Sequence, residues 1–137
     1  MAYKNPAATA TLIIEREGRI ALVRRKHPPY VGKLCLPGGY LNCDTETLER
    51  AAQREIMEEA RIRVQQKDLC LLCVNSSPTR DPRGHVIDHV YIALQFEGEG
   101  KAGDDAAELI WTPLDEIPRL AFDHTKDIEM YKSWRKR

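Results

Sequence analysis

The sequence predicts an α/β fold in which a mixed β-sheet lies between helical layers. Three observations point there: short apolar, β-branched runs punctuated by Gly and Pro in the first third; one long segment rich in Ala, Glu, Leu and Arg; and further strand-like runs closing on a second amphipathic helix. A chain of 137 residues can bury one real core, whereas two independent domains would each be marginal, so residues 1–137 are expected to form one domain.

The elements follow in order. TATLIIE and RIALVRR, within residues 9–25, read as a hairpin turning at Glu17-Gly18. A basic loop, RRKHPPYVGK, leads to a short run at 34–36 that stops at Pro37-Gly38-Gly39. Those glycines signal a chain reversal or a close backbone approach. Thr47 is placed to cap a helix running to Ala60, filled with good helix formers, and Arg61 follows where no glycine is available to end it. Residues 62–65 and 69–75 read as strands, 76–84 as a loop, and 86–96 as a long strand followed by the Gly- and Asp-rich turn 97–105. A short strand at 109–112 and a loop or brief helical turn at 114–122 precede a closing helix, 125–135. Its Ile128, Tyr131 and Trp134 recur at helical spacing and are expected to face the body. No internal repeat or low-complexity linker divides the chain.

Composition excludes several classes. Lys and Arg total 21, Asp and Glu total 21, and the pI is about 6.9, so no global attraction to nucleic acid or anionic lipid is expected. The start, MAYKNPAATAT, lacks the apolar core of a signal peptide, and no stretch approaches the length of apolar sequence that spans a bilayer. A cytoplasmic protein with neither nucleic-acid nor membrane partners is the expectation. Cys70 and Cys73 make the only close cysteine pair, but LCLLCV is a continuous apolar run without turn residues to wrap a metal, so buried thiols are expected.

The chemistry concentrates in ETLERAAQREIMEEARI, residues 46–62. At helical periodicity Glu55 and Glu59 fall inside the stripe of Ala51, Ala52 and Ile56, with Glu58 at its edge. Carboxylates at i, i+3 and i+4 on one side of a helix repel unless cations lie between them, and hard oxygen ligands suit Mg²⁺ or Mn²⁺. The alternative is an ordinary amphipathic helix whose glutamates reach water or pair with Arg54, Arg61 and Arg63. The glycine turn just before the helix favours the metal reading, because a small backbone there can approach phosphate.

Gly39, Glu46, Arg54, Glu55, Ile56, Glu58, Glu59 and Ile62 resemble the Nudix box: Gly, five residues, Glu, seven residues, then Arg-Glu-U-X-Glu-Glu-X-Gly-U, with U bulky and aliphatic. Two positions depart from it. Six residues, YLNCDT, separate Gly39 from Glu46, and Arg61 stands where the box has Gly; neither change removes a carboxylate. The resemblance implies a Nudix-like αβα sandwich with a mixed central β-sheet. It also implies metal-dependent cleavage of a diphosphate joining a nucleoside to another group, with Gly39, Glu55, Glu58 and Glu59 at the metal (Mg²⁺, with Mn²⁺ as the alternative) and Arg54 in the catalytic set. The general base is left open between a helix glutamate and a later residue such as Glu108.

Three further stretches, KHPPYVGKLCLPGGYL, RDPRGHVIDHVYIAL and LAFDHTKDI, resemble ADP-ribose pyrophosphatases of bacteria and archaea. They imply hydrolysis of ADP-ribose to AMP and ribose 5-phosphate, with a homodimer as the common state. Arg80 and Arg83 are candidates to meet phosphate or a ribose hydroxyl, and Tyr30, Tyr40 or Phe122 to stack on adenine. Against these stand a solvated turn at 81–84, core packing for Phe122 and a structural network for His124, while His89 is expected to alter the pocket. The alternatives are a nucleoside triphosphate or another dinucleotide as substrate, or a non-catalytic ADP-ribose sensor. Such sensors carry a winged-helix portion, for which the sequence after the last helix leaves no room.

Overall fold

The computed structural model describes residues 3–103 and 106–137. Strand β1 (Ala7–Ile13) is central to the fold. Its residues Ala10, Leu12 and Ile13 are fully buried, as suits a strand with apolar layers on both faces. β7 (Val86–Ala93) runs parallel to it, from Ala7↔Val86 to Ile13↔Ile92. β5 (Gly38–Tyr40) is antiparallel on its other side, and β6 (Leu69–Asn75) is antiparallel to β7 at the sheet edge, giving the order β5-β1-β7-β6.

A second, antiparallel sheet is built on β3 (Arg19–Arg25), which pairs with β2 (Glu15–Arg16), β4 (Leu34–Cys35) and β8 (Ala106–Pro113). The long hairpin expected over residues 9–25 is therefore only its tip, Glu15↔Ile20 and Arg16↔Arg19, around Glu17 and Gly18, both at positive φ. The chain changes sheets at Ile14, whose carbonyl still accepts the Ala21 N–H at 3.0 Å. β1 is apolar enough to sit in the interior with a parallel neighbour, so it leaves its sequence neighbour. Residues 62–65 form only a bridge between Arg63 and Glu97, and β7 ends at Ala93.

Helix α1 (Leu48–Ala60) begins as its sequence indicates: the Thr47 hydroxyl accepts the Arg50 N–H. It ends on Arg61 in the left-handed region, φ 54° and ψ 37°, with the Arg61 N–H reaching Met57 O and the Ile62 N–H reaching Ile56 O. Arginine thus adopts a conformation that favours glycine, at a cost of about 1 kcal/mol. Ala51, Ala52, Ile56 and Ala60 pack with Ala10, Leu12, Ile14, Ile62, Val64 and Tyr91 on one face of the mixed sheet. Helix α2 (His124–Arg135) covers the other face through Ile128 and Tyr131, with Trp134 beside them against Ile13, Val90 and Ile92. Cys70 and Cys73, half-buried and free, pack against this second core. The result is the expected mixed sheet between helical layers.

Candidate active site

A cavity of about 380 Å³ opens between the two sheets and the start of α2, lined by Gly38, Gly39 and Tyr40 of β5 and by Glu55 and Glu59 of α1. Gly39 lies so close to α1 that a Cβ there would fall 2.4–2.6 Å from the Glu55 carboxylate atoms. The Gly38 N–H donates to Glu59 Oε2 at 3.3 Å. Burial first, and the neighbouring Glu55 charge second, push the Glu59 carboxyl well above its ordinary range. Two acids so placed favour either a held proton or a cation between them. Acceptor-only oxygens suit a hard divalent ion, so the donor set fits Mg²⁺ or Mn²⁺.

Arg54 ties the surrounding pieces together. Its guanidinium donates to both Glu46 oxygens at 2.6 and 3.1 Å, to Tyr40 O at 2.8 Å, to Glu55 Oε1 at 2.7 Å and to Glu58 Oε2 at 3.3 Å. Its hydrogen bonds hold Glu46 below the usual carboxylate range. The additional loop residue is absorbed between these anchors: Asp44 takes φ 69°, Thr45 N–H meets Asn42 O, and Asn42 N–H meets Glu46 Oε1. Asp is among the residues that tolerate this conformation.

The carboxylate trio does not converge as a set. Glu55 has 14% of its side chain exposed and faces the cavity, whereas Glu58 is 47% exposed and outside the lining. Glu108 is likewise outside it. Cross-strand pairing sets Glu108 opposite Arg24, and the carboxylate is engaged by the Arg24 guanidinium. Arg80 borders the cavity but is only 4% exposed, with its donors taken by both Asp123 oxygens, at 2.9 and 2.8 Å, and by Val86 O at 3.4 Å. Phe122 is boxed by Tyr30, His124, Arg25 and Arg83, all within 5.0–5.5 Å of its ring centroid. It is half-buried among them and lines the cavity. Tyr40, 40% exposed, keeps more open surface for a base. His89 is turned to the backbone, its Nδ1–H donating to Thr9 O at 3.0 Å, and does not line the cavity.

Sequence reasoning missed Asp88. It is buried in β7, and its Oδ1 accepts the hydroxyls of Thr9 and Thr11, each at 2.8 Å. Burial opposes its ionisation, but His124 and the threonines hold its carboxyl below the ordinary range. Asp88, His124 and Asp127 bring potential ligand atoms within 4.8 Å of one another, and Asp88 Oδ2 and Asp127 Oδ2 lack hydrogen-bond partners among the described residues. These oxygens form a second cluster of potential ligand atoms, with the Arg80 guanidinium already 3.6 Å from Asp88 Oδ2. The His124 ring is already committed. Burial opposes its charged form while Asp88 and Cys35 favour it, yet Nδ1 accepts the Leu36 N–H at 3.1 Å and so must keep a lone pair. The hydrogen therefore resides on Nε2, facing Asp88 Oδ2 at 3.7 Å. An acid inside the apolar run VIDHVYIA was the available signal.

The NUDIX domain profile matches residues 4–134. An ADP-ribose pyrophosphatase of Methanocaldococcus jannaschii is 47% identical over 133 residues, covering 97% of this chain and 77% of that protein. Among solved structures, a MutT/nudix family protein of Enterococcus faecalis superposes with a TM-score of 0.85 at 27% identity, over all of this chain and 65% of the other. The NUDIX domain of Shewanella oneidensis NrtR, crystallised with ADP ribose, gives 0.85 at 26% identity, over 97% of this chain and 90% of that one. The chain belongs to the NUDIX family. It is a metal-dependent hydrolase of nucleotide diphosphate derivatives, with Mg²⁺ or Mn²⁺ as cofactor.

One expectation is corrected. Net neutrality had excluded nucleic acid, but S. oneidensis NrtR has this fold in a complex with a 27mer DNA, at 24% identity and a TM-score of 0.69 over 61% of that chain. Overall charge bounds only long-range attraction and says nothing of local patches. Among the described residues, no helix is long and apolar enough to cross a membrane.

Proposed function

We propose that this chain hydrolyses ADP-ribose to AMP and ribose 5-phosphate, acting as one domain in the cytoplasm. The observation that carries the reading is the pair of acids inside the cavity, Glu55 against Gly39 and Glu59 against the Gly38 N–H, in a chain that resembles an ADP-ribose pyrophosphatase at 47% identity. Glu55 and Glu59 hold the cation, with Glu58 at the outer side. A bound divalent cation neutralises phosphate charge and lowers the pKa of water. Gly39 leaves room for the Glu55 carboxylate. Arg54 holds that carboxylate from behind and keeps the loop closed, so its part in catalysis is to position Glu55. Arg83, unlike Arg80, retains donors toward the cavity and meets the diphosphate or a ribose hydroxyl, while Tyr40 offers a face to adenine. With Glu108 engaged by Arg24, the proton of the attacking water goes to a helix carboxylate.

The test is turnover of a panel comprising ADP-ribose, NADH, diadenosine polyphosphates, nucleotide sugars and nucleoside triphosphates with Mg²⁺, with the products resolved. Selective release of AMP and ribose 5-phosphate from ADP-ribose is expected. Preference for another member refutes the substrate. The likeness to the NrtR domain crystallised with ADP ribose favours one second reading, a sensor. Tight ADP-ribose binding without turnover at any Mg²⁺ or Mn²⁺ concentration would establish it.

A further inference from the structure

The turn Asp81-Pro82-Arg83-Gly84 is more than a solvated connection. Asp81 is 1% exposed at its side chain, although it sits in a loop, and all of its visible bonding is directed at Arg83. Asp81 Oδ1 accepts the Arg83 backbone N–H at 2.9 Å and Nε–H at 3.1 Å, and Oδ2 accepts Nη2–H at 2.8 Å. The Gly84 N–H closes the turn on Asp81 O at 3.2 Å. This is a side-on, two-pronged pairing that fixes the plane of the guanidinium as well as its place. Both aromatic neighbours reinforce it, since the guanidinium carbon lies 4.9 Å from the Tyr40 centroid and 5.5 Å from that of Phe122.

We propose that Asp81 is a positioning residue for substrate binding: it locks Arg83 between Tyr40 and Phe122, so that the guanidinium edge left over by Asp81 is presented to an anionic or hydroxyl-rich part of the substrate. The inference rests on the hydrolase reading above. With Nε and one Nη2 hydrogen consumed, Nη1 and the second Nη2 hydrogen have no acceptor among the described residues, and Arg83 borders the cavity. One Nη1 hydrogen and the remaining Nη2 hydrogen form the end-on fork, which matches a pair of oxygens lying in the guanidinium plane. Arg80, three residues earlier, is the internal contrast. It has the same bidentate pairing, with Asp123, but its last nitrogen is spent on Val86 O. An unlatched Arg83 would have to be ordered by each substrate molecule, which weakens binding in the ground and transition states alike.

The test is a cycle of Asp81→Asn, Arg83→Ala and the double variant, with kcat and KM measured on whichever panel substrate the wild type turns over fastest. Thermal unfolding is followed in parallel, and Asp81→Glu tests rescue by a retained carboxylate. Asp81→Asn is expected to raise KM about tenfold while kcat stays within about twofold, the pattern of lost uniform binding. In the Arg83→Ala background the same change should leave KM unmoved, because Asp81 acts only through Arg83. An Asp81→Asn KM equal to wild type, or an equal KM penalty with and without Arg83, overturns the proposal. A different preferred substrate would refute the ADP-ribose reading while leaving this comparison intact. If Asp81→Asn does not fold, the KM of Asp81→Ser, which also removes the carboxylate, decides in the two backgrounds by the same criterion.

Discussion

Replacing Gly39 by Ala puts one methyl group against the acid that is to carry the cation. The new Cβ would lie 2.4 Å from the nearest Glu55 carboxylate atom, against 3.4 Å for ordinary contact, so something must retreat by about 1 Å. Gly39 is not among the residues at positive φ, and its pairing with Ala10 suits any strand residue, so the backbone has little reason to yield. Arg54 restrains Glu55 at 2.7 Å from the other side. The displacement therefore falls on the carboxylate. A misplacement of about 1 Å costs on the order of 10²-fold in rate, equivalent to about 2.7 kcal/mol. The assay is kcat across a Mg²⁺ titration, with thermal unfolding as control. A lower kcat and a higher Mg²⁺ midpoint at a nearly unchanged melting temperature are expected. Full activity with the wild-type Mg²⁺ midpoint would remove Glu55 from the metal site.

Glu59→Gln should depress kcat by about 10²-fold or more while leaving the fold as stable or more so, because it removes one of two opposed charges; Glu58→Gln, at an exposed position, should cost much less, and equal losses would refute the asymmetry. Arg61→Gly should raise stability by about 1 kcal/mol by relieving the left-handed arginine, and a lower midpoint in denaturant would show that the arginine side chain contributes more than its backbone costs. Glu15 accepts from Arg135, chiefly, and from Tyr131, which holds its carboxyl below the ordinary value and ties β2 to α2. A depressed folded pKa contributes stability above the unfolded value of 4.5 that is lost as pH falls through the folded one. Wild type should therefore lose more stability than Glu15→Gln on acidification below about pH 5, and parallel pH profiles would contradict this.

Local patterns carried much of this structure. The Thr47 cap, the stripe of α1, the position of Gly39 and the place of Glu55 and Glu59 within the stripe all follow from spacing within about two dozen residues. The partition into two sheets does not. It depends on β1 meeting β7, whose Thr9 and Asp88 stand 79 residues apart, and periodicity says nothing about which distant strand becomes a neighbour. The same limit explains the site. Glu108 had the right chemistry for a base until the β3–β8 register set it opposite Arg24. Arg80 and Arg83 looked equivalent in RDPRG, and only the tertiary partners Asp123 and Val86 separate them. The sequence leaves Phe122 open between packing and stacking, and the fold surrounds it with four neighbours on the cavity wall.

The outer margin of β6 bears on handling the protein. Leu71 and Val74 are exposed there, on a terminal strand of the mixed sheet, in a chain whose pI is about 6.9. Near neutral pH almost no net repulsion keeps two such margins apart. Solubility should accordingly pass through its minimum around pH 7 and recover in mildly alkaline buffer, which favours concentrating the protein there.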